Sequence, residues 1–318
     1  MMEVEGAQAG QTLTETAMGL ALFNIARFRF TAIANSEIQF SAHKAPAYKG
    51  STFHGGFGHA LNHVSPTFYR YFYPPAGAGD PPKPFVVTPP LEEKPAYAPG
   101  ERLQFELGLF GAATQHFPIC FGAFEALGQH LGLGRNNGRY TIEQVEYFSA
   151  AGQPQLLYRQ GQWRFAQHTV TGQAIAAAGS AVTCRRITLQ LQTRLRLKDN
   201  GRIVSHGPAF SQLLDRLLGR LHTLATFHQG SELLPRPERN RLLAHAEEVQ
   251  TEHANVRWDD WQRYSERQKE SMKFGGLLGE ITYAGELDPF MPYLRLGEWV
   301  HLGGKTSFGL GKYVLNSS

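Results

Sequence analysis

Between positions 19 and 34 (GLALFNIARFRFTAIA) Phe and aliphatic residues alternate with Arg27, Arg29 and small polar residues, the period of two that marks a long half-buried strand. After a turn region holding Pro46 and Gly50, Ser51 or Thr52 is placed to cap a helix. That helix runs through Phe53, Phe57, Ala60, Leu61 and Val64 and is stopped by Pro66. Positions 69–99 take nine of the chain's 18 prolines and read as ordered loop with short extended pieces. A strand over 102–110, a helix over 117–130, a glycine-rich loop at 132–138 and a closing strand over 139–148 follow. The second half repeats the plan. It reads as a strand over 185–197, an amphipathic helix over 210–227, a polar insertion at 231–249 and extended chain over 256–267. A strand over 275–283, a helix over 289–301, a glycine-rich loop at 303–311 and a terminal strand over 312–315 complete it.

The two halves also share spacing. Leu107-Gly108 is followed 24 positions later by Leu131-Gly132, and Leu278-Gly279 by Leu302-Gly303 at the same interval. Each second pair opens a glycine-rich loop that ends on Gly-basic-Tyr: Gly138-Arg139-Tyr140 and Gly311-Lys312-Tyr313. Repeats reveal architecture before motifs do. The pattern predicts an α+β chain of tandem ferredoxin-like βαββαβ domains, over 1–150 and 151–318, with a glycine-rich loop near the C-terminus.

A length of 318 residues suits two domains, and 42% hydrophobic against 18% charged residues excludes wholesale disorder. The net charge is +4, but the basic residues divide into 22 Arg and 9 Lys. Arg binds phosphate through a planar fork and stacks on bases, so this excess is compatible with a nucleic-acid partner without requiring one. Cys120 and Cys184 lie far apart with no CxxC pair and read as reduced core residues. Residues 1–18 carry acids rather than a basic head and apolar run, and no apolar stretch reaches membrane-spanning length. No membrane association and a cytoplasmic location are expected.

Gly304-Lys305-Thr306 mimics a nucleotide-binding loop, but Trp299 stands where that loop needs glycine, and a helix precedes it where a strand is required. The glycines fit either a tight turn or a nest of backbone N–H groups around an anion, with Lys305 and Lys312 supplying charge. His59 and His63 stand at i, i+4, yet no HExxH glutamate or neighbouring Cys supports zinc, so no metal is expected.

The segment from Gly275-Gly-Leu-Leu-Gly-Glu-Ile through Leu296-Gly-Glu-Trp-Val-His-Leu-Gly-Gly-Lys-Thr-Ser-Phe-Gly-Leu-Gly-Lys-Tyr resembles the C-terminal signature of the CRISPR repeat-associated RAMP endoribonucleases, specifically the Cas-six precursor-RNA processing group. The likeness extends to Arg263-Tyr-Ser-Glu-Arg-Gln-Lys, to Tyr48-Lys-Gly-Ser-Thr-Phe-His-Gly-Gly-Phe-Gly-His-Ala-Leu and to the proline-rich 81–90. One departure is His54, where relatives usually carry Arg.

The resemblance implies RNA cleavage without metal or cofactor at repeat hairpins. A ribose 2′-hydroxyl attacks its adjacent phosphate, leaving a 2′,3′-cyclic phosphate and a 5′-hydroxyl. Such chemistry needs a base, an acid and positive charge on the phosphorane, and histidine suits both proton roles. His59, in the Gly-His-Ala-Leu match, is the first candidate, followed by His54 and His43, with Tyr48 and Lys49 assisting. If the helix is regular from Phe53, residues 54 and 59 lie about 140° apart and do not face one phosphate together. Expected RNA contacts are Arg27, Arg29, Arg263, Arg267, Lys269 and Lys273, with Gly303, Gly304, Lys305, Thr306, Ser307, Gly309, Gly311 and Lys312 of the loop. Arg216 and Arg220 are expected to face solvent. The partners implied are CRISPR repeat RNA, as precursor and processed crRNA, and other Cas effector subunits. The alternative is a noncatalytic RAMP subunit that holds guide RNA in an effector complex.

Overall fold

The alternation at the start of the chain builds β1 (Asn24–Ala34), with Phe28 and Phe30 fully buried on one side and Arg27 and Arg29 half-buried on the other. The strand starts later than the pattern suggests, because residues 19–22 are helical. The computed structural model describes residues 19–41, 48–75, 81–178, 183–199, 201–260, 262–265 and 270–317. These divide into two compact units: Asn24–Val170 with Ser307–Gly309, and the rest of the described chain.

In the first unit β1 is followed by α1 (Gly50–Val64), α2 (Pro66–Phe72), β2 (Phe85–Thr88), β3 (Arg102–Phe110), α3 (Phe117–Ala126), β4 (Tyr140–Phe148), β5 (Pro154–Arg159) and β6 (Gln162–Trp163). The strands pair in the order β2-β3-β1-β4-β5-β6, and β1 is antiparallel to both its neighbours. The first four strands in that order are the ferredoxin-like sheet, which β5 and β6 extend. The proline-rich stretch holds the short extended piece expected of it, β2, but its first residues are helical: Pro66 stops α1 and starts α2 at a first-turn position, where its missing N–H is harmless. β2 is the apolar run Phe-Val-Val-Thr, buried throughout and too short to show an alternation.

The core of this unit is aromatic. Phe30 of β1 stacks on its cross-strand partner Phe105, with ring centroids 4.9 Å apart, and Phe57 of α1 stacks on Phe124 of α3 at 4.7 Å. Offset pairs of this kind add to the burial of the rings themselves. Cys120 is buried among them, and burial pushes its thiol well above the usual range.

The second unit comprises β7 (Arg186–Leu195), α4 (Phe210–Gln229), α5 (Arg236–Ala246), β8 (Gln250–Asp259), β9 (Gln262–Ser265), β10 (Glu270–Lys273), β11 (Gly276–Ala284), α6 (Met291–Val300) and β12 (Tyr313–Ser317). Its sheet runs β8-β11-β7-β12, the same permuted order. The chain is thus α+β with tandem ferredoxin-like folds. Part of the insertion at 231–249 is the helix α5, which buries Leu242 and Ala246 and leaves most of its length exposed.

The shared Gly-basic-Tyr triplets have a physical role. Tyr140 opens β4 and donates its hydroxyl to the Phe124 carbonyl of α3 at 2.7 Å, while Tyr313 opens β12 and donates to the Leu294 carbonyl of α6 at 2.6 Å. Both tyrosines are buried. Each ring occupies the place a side chain would take at a glycine on the preceding helical segment. A Cβ at Gly128 would stand 2.6 Å from the Tyr140 ring, and one at Gly297 would stand 1.9 Å from the Tyr313 hydroxyl.

Gly297→Ala is therefore expected to lower the unfolding free energy by about 1–3 kcal/mol, because the Tyr313 ring is held by its hydrogen bond and has no room to retreat. Urea titration checks this, and an unchanged midpoint would contradict the packing account.

Candidate functional site

The first cluster of candidate residues gathers at the start of α1. Tyr48 precedes the helix and donates its hydroxyl to the Phe308 carbonyl at 2.7 Å. Lys49 occupies the N-cap position without a side-chain cap bond. Its Nζ is turned inward, donating to the Glu92 carbonyl and lying 5.8 Å from the Phe40 ring centroid. Burial holds the Lys49 ammonium below the ordinary lysine value, and the favourable fields of Glu92 and Glu93 offset this only in part. His54, one and a half turns into the helix, is buried in an aromatic cage. Its ring stacks on Phe308 at 3.8 Å and 15°, Tyr73 meets it edge-on at 5.0 Å, and Phe85 lies at 5.7 Å. The Tyr73 hydroxyl donates to the His54 carbonyl at 2.7 Å.

Because α1 is helical from Gly50, the angular argument applies and the two histidines diverge: His54 is buried, while His59 and His63 are exposed. The structure brings Tyr48 and His54 together around Phe308 and sets His59 on another face. His43 lies outside the described residues. Phe308 was not singled out in the sequence, and no periodicity marks it. Only its place inside the glycine-rich loop sets it apart.

Arg27 and Arg29 share one carboxylate. Arg27 donates through Nε and Nη2 to Glu106 Oε2 at 3.1 and 2.8 Å, and Arg29 donates to Oε1 at 3.3 and 3.2 Å. Both guanidinium groups also lie over the Phe148 ring, at 4.5 and 4.8 Å. Each guanidinium is thus committed to a carboxylate, and Glu146 is the cross-strand neighbour of Arg29.

In the second unit the glycine-rich loop is braced mainly by its own chain. Gly304 N–H donates to the Arg196 carbonyl at 2.8 Å, Leu302 N–H to Gly311 at 2.9 Å, Gly311 N–H to Arg194 at 3.0 Å and Lys312 N–H to Thr193 Oγ1 at 2.9 Å. Gly311 has φ 75°, and a Cβ there would stand 1.8 Å from the Leu302 carbonyl oxygen. These bonds take up N–H groups that a nest would aim at an anion, so at Leu302, Gly304 and Gly311 the glycine pattern serves a tight turn. Arg220 also supports the loop, contrary to its expected solvent exposure. Its Nε is shared between the carbonyls of Val300 and His301 at 2.8 and 3.0 Å, and burial pushes its pKa down to about 9. Arg216, one turn earlier, is exposed as expected.

Charge concentrates beside this turn. Lys305 sits at φ 59° with its Nζ over the Phe274 ring at 5.0 Å. Its pKa is lowered by burial and then by the positive charges of Arg196 and Lys198. Arg196, which donates to the Gly275 carbonyl at 2.7 Å, is likewise lowered by burial, with Asp260 acting the other way. An anion beside Lys305 would relieve the field of its two neighbouring cations. Lys198 was missed in the sequence, because it lies in the turn after β7 with no motif around it. Gly303, Thr306 and Lys312 belong to the same unit, whereas Ser307 and Gly309 group with the first. Arg263 and Lys273 lie on the β9–β10 hairpin, and Arg267 and Lys269 fall outside the described residues. Among the described residues no group of three or more His, Cys, Asp or Glu is arranged to hold a metal ion, and no helix is long and apolar enough to cross a membrane.

The tandem ferredoxin-like fold and the braced glycine-rich loop can be set beside known proteins. Residues 189–313 match the model of the CRISPR-associated endoribonuclease Cas6, and residues 22–170 match one described as an N-terminal domain. Over residues 189–313 the chain is thus similar to the Cas6 endoribonucleases. No curated protein sequence matches it. Among solved structures it is similar to a Cas6 product complex, with 19% identity, TM-score 0.60 and coverage of 92% of this chain and 100% of the other. It is also similar to Thermus thermophilus Cas6, with 17% identity, TM-score 0.57 and coverage of 92% and 99%. A partial Cas6-RT-Cas1–Cas2 complex matches with 17% identity and TM-score 0.59, over 93% of this chain and 46% of that one. At these identities the structural likeness is one of fold.

The Lys49 geometry makes a pH prediction. The unfolded chain keeps this proton up to about 10.5, the ordinary lysine value, while the folded chain releases it earlier, so in that window the unfolded state binds more protons and stability rises with pH. The unfolding free energy of the wild type, measured against that of Lys49→Met by denaturant titration, should climb as pH approaches 10.5 from below. A difference that stays flat would refute the burial assignment.

Proposed function

We propose that this protein is an endoribonuclease that processes CRISPR precursor RNA. The observation that carries the reading is the match of residues 189–313 to the Cas6 family over the segment that holds the glycine-rich loop and the cations beside it. A phosphodiester backbone offers negative charge to Arg196, Lys198 and Lys305, and such contacts position RNA without reading its sequence. Repeat RNA, as precursor and as processed crRNA, is the proposed ligand. Other Cas proteins are proposed partners, since a related fold occurs in a Cas6-RT-Cas1–Cas2 complex. A cytoplasmic location goes with this role.

The proposed reaction is a metal-independent transesterification at a repeat hairpin. The 2′-oxygen gives up its proton to a base and forms a bond to the adjacent phosphorus. The bond from phosphorus to the 5′-oxygen breaks, and that oxygen takes a proton from an acid. The products are a 2′,3′-cyclic phosphate and a 5′-hydroxyl. His59 is the proposed proton-transfer group, supported by its exposure on α1. His43 is the second candidate from the sequence. His54, Tyr48 and Lys49 suit positioning better, because the His54 ring is enclosed by aromatic residues and Lys49 is directed at Glu92. The loop cations are proposed to hold the phosphates flanking the cut.

That same enclosure of His54 and Lys49 favours a second reading, a noncatalytic RAMP subunit that holds guide RNA. Incubation of the purified protein with repeat RNA in EDTA separates the two. Cutting should proceed in the chelator and disappear when the nucleotide before the cut carries 2′-deoxyribose. His59→Ala should lower the cutting rate at least about a hundredfold while RNA binding persists. Binding without any cutting would leave the guide-holding reading, and full activity of His59→Ala would move the proton role to His43 or His54.

A further inference from the structure

We propose that the β5–β6 hairpin and the residues just after it, through Trp163, Arg164 and Phe165, form a stacking platform for unpaired RNA nucleotides. This inference rests on the reading of the chain as an RNA-processing protein and names a substrate element that the loop and helix α1 do not account for.

The hairpin is rigid by construction. Tyr158 pairs with Trp163 and Arg159 with Gln162, and the two residues between have φ 48° at Gln160 and 87° at Gly161. Two left-handed residues in a two-residue loop make the turn whose twist matches that of the strands. The chain beyond stays anchored, since Arg164 N–H donates to the Leu157 carbonyl at 2.8 Å.

On this support stand two aromatic rings with open surface. Trp163 is 45% exposed, and beneath it lie Phe121 at 4.7 Å, Tyr158 at 4.8 Å and Phe117 at 6.4 Å, so the indole is held from below. Phe165 is fully exposed, the most open large apolar side chain among the described residues. Beside such a braced indole, an exposed ring of this size marks a contact surface rather than an incidental surface residue.

Charge selects the occupant. From Glu146 to Asp199 the sequence contains no acidic residue, and within that run Arg159 and Arg164 are exposed on the hairpin. Arg159 donates through Nε and Nη2 to Gln144 at 3.1 and 2.6 Å. Two carboxylates lie near, Glu143, held low first by Arg102 and then by Arg159, and Glu146, across from Leu156; Arg102, Arg159 and Arg164 outnumber them. Exposed rings interleaved with guanidinium groups suit single-stranded nucleic acid, whose bases offer π-faces and whose backbone offers phosphates. A paired RNA stem keeps its bases stacked inside and offers these rings nothing. The occupant is thus the unpaired segment flanking a hairpin, not the stem.

Fluorescence anisotropy with a labelled oligoadenosine of about ten nucleotides at fixed low salt tests this. Phe165→Ala, which removes a side chain that packs against nothing, should weaken binding about tenfold, the loss expected for one stacked base. Arg164→Gln should reduce the salt dependence of log Kd by about 0.7, one phosphate's share for a single strand. In Trp163→Phe the intrinsic fluorescence should no longer be quenched by the oligonucleotide. If the wild type binds neither this probe nor repeat RNA, the reading of the protein as an RNA processor fails. If the wild type cuts repeat RNA and Phe165→Ala binds the probe as tightly, the platform alone is overturned. A Phe165→Ala variant that changes sedimentation but not RNA affinity would overturn it in favour of a protein contact.

Discussion

In each unit the strand that closes the ferredoxin-like sheet begins on a buried tyrosine whose hydroxyl is donated into the helix before it, Tyr140 into α3 and Tyr313 into α6. A tyrosine hydroxyl buried in an apolar core must find an acceptor, and a helix carbonyl has a second lone pair to offer it. The bond fixes the distance between helix and strand. The requirement reaches back into the preceding helical segment, where Gly128 and Gly297 make room for the ring, and forward into the glycine-rich loop that must bring the chain round to the tyrosine. The repeated spacing in the sequence is the trace of this one packing solution used twice.

Where the solution differs between the halves, function has room to enter. The first loop closes tightly, with Leu133 and Gly138 exchanging backbone hydrogen bonds at 2.9 and 2.8 Å. The second spans more residues from Leu302 to Gly311, and the extra length carries Lys305 and the segment Thr306–Phe308. Arg220 clamps the entry to this loop, and the backbone of Arg194 and Arg196 receives its N–H groups. A turn so well satisfied holds its side chains in place, and the field that lowers Lys305 is the electrostatic consequence. Preorganised cations of this kind are the usual way to stabilise a phosphate that gains charge during reaction.

Much of the fold was legible because its long elements follow their periods. β1, α1 and α4 each bury an apolar face and show it in the spacing of apolar residues. β2 showed only as one of the short extended pieces expected in the proline-rich stretch, since a four-residue strand buried on both faces has no alternation to place it. α5 did not show because its polar residues cover most of its circumference and only Leu242 and Ala246 reach the core. At the site, the divergence of His54 and His59 followed from helix geometry alone. The cage around His54 did not, because it is built from Tyr73, Phe85 and Phe308, residues brought together by tertiary structure across more than two hundred positions of chain. The sharing of Glu106 by Arg27 and Arg29 was hidden for the same reason, since only the pairing of β1 with β3 brings that carboxylate alongside.

The arginine excess takes a different meaning once partners are assigned. Arg102 lies against Glu143, Arg186 against Glu252, Arg194 against Asp259 and Arg239 against Asp215, alongside the pair on Glu106. Several of these sit at sheet surfaces and are worth little for stability one by one. Their effect is to cancel charge over most of the sheets, which leaves positive potential only where acids are missing. Basic groups gather beside the loop, at Arg196, Lys198 and Lys305, and along the acid-free run that holds Arg159 and Arg164. A polyanion approaching a modestly basic protein is then attracted to a few defined points rather than to the whole surface. For a protein that must hold one RNA among many, local charge on a largely neutralised surface limits non-specific binding while keeping the contacts that set register.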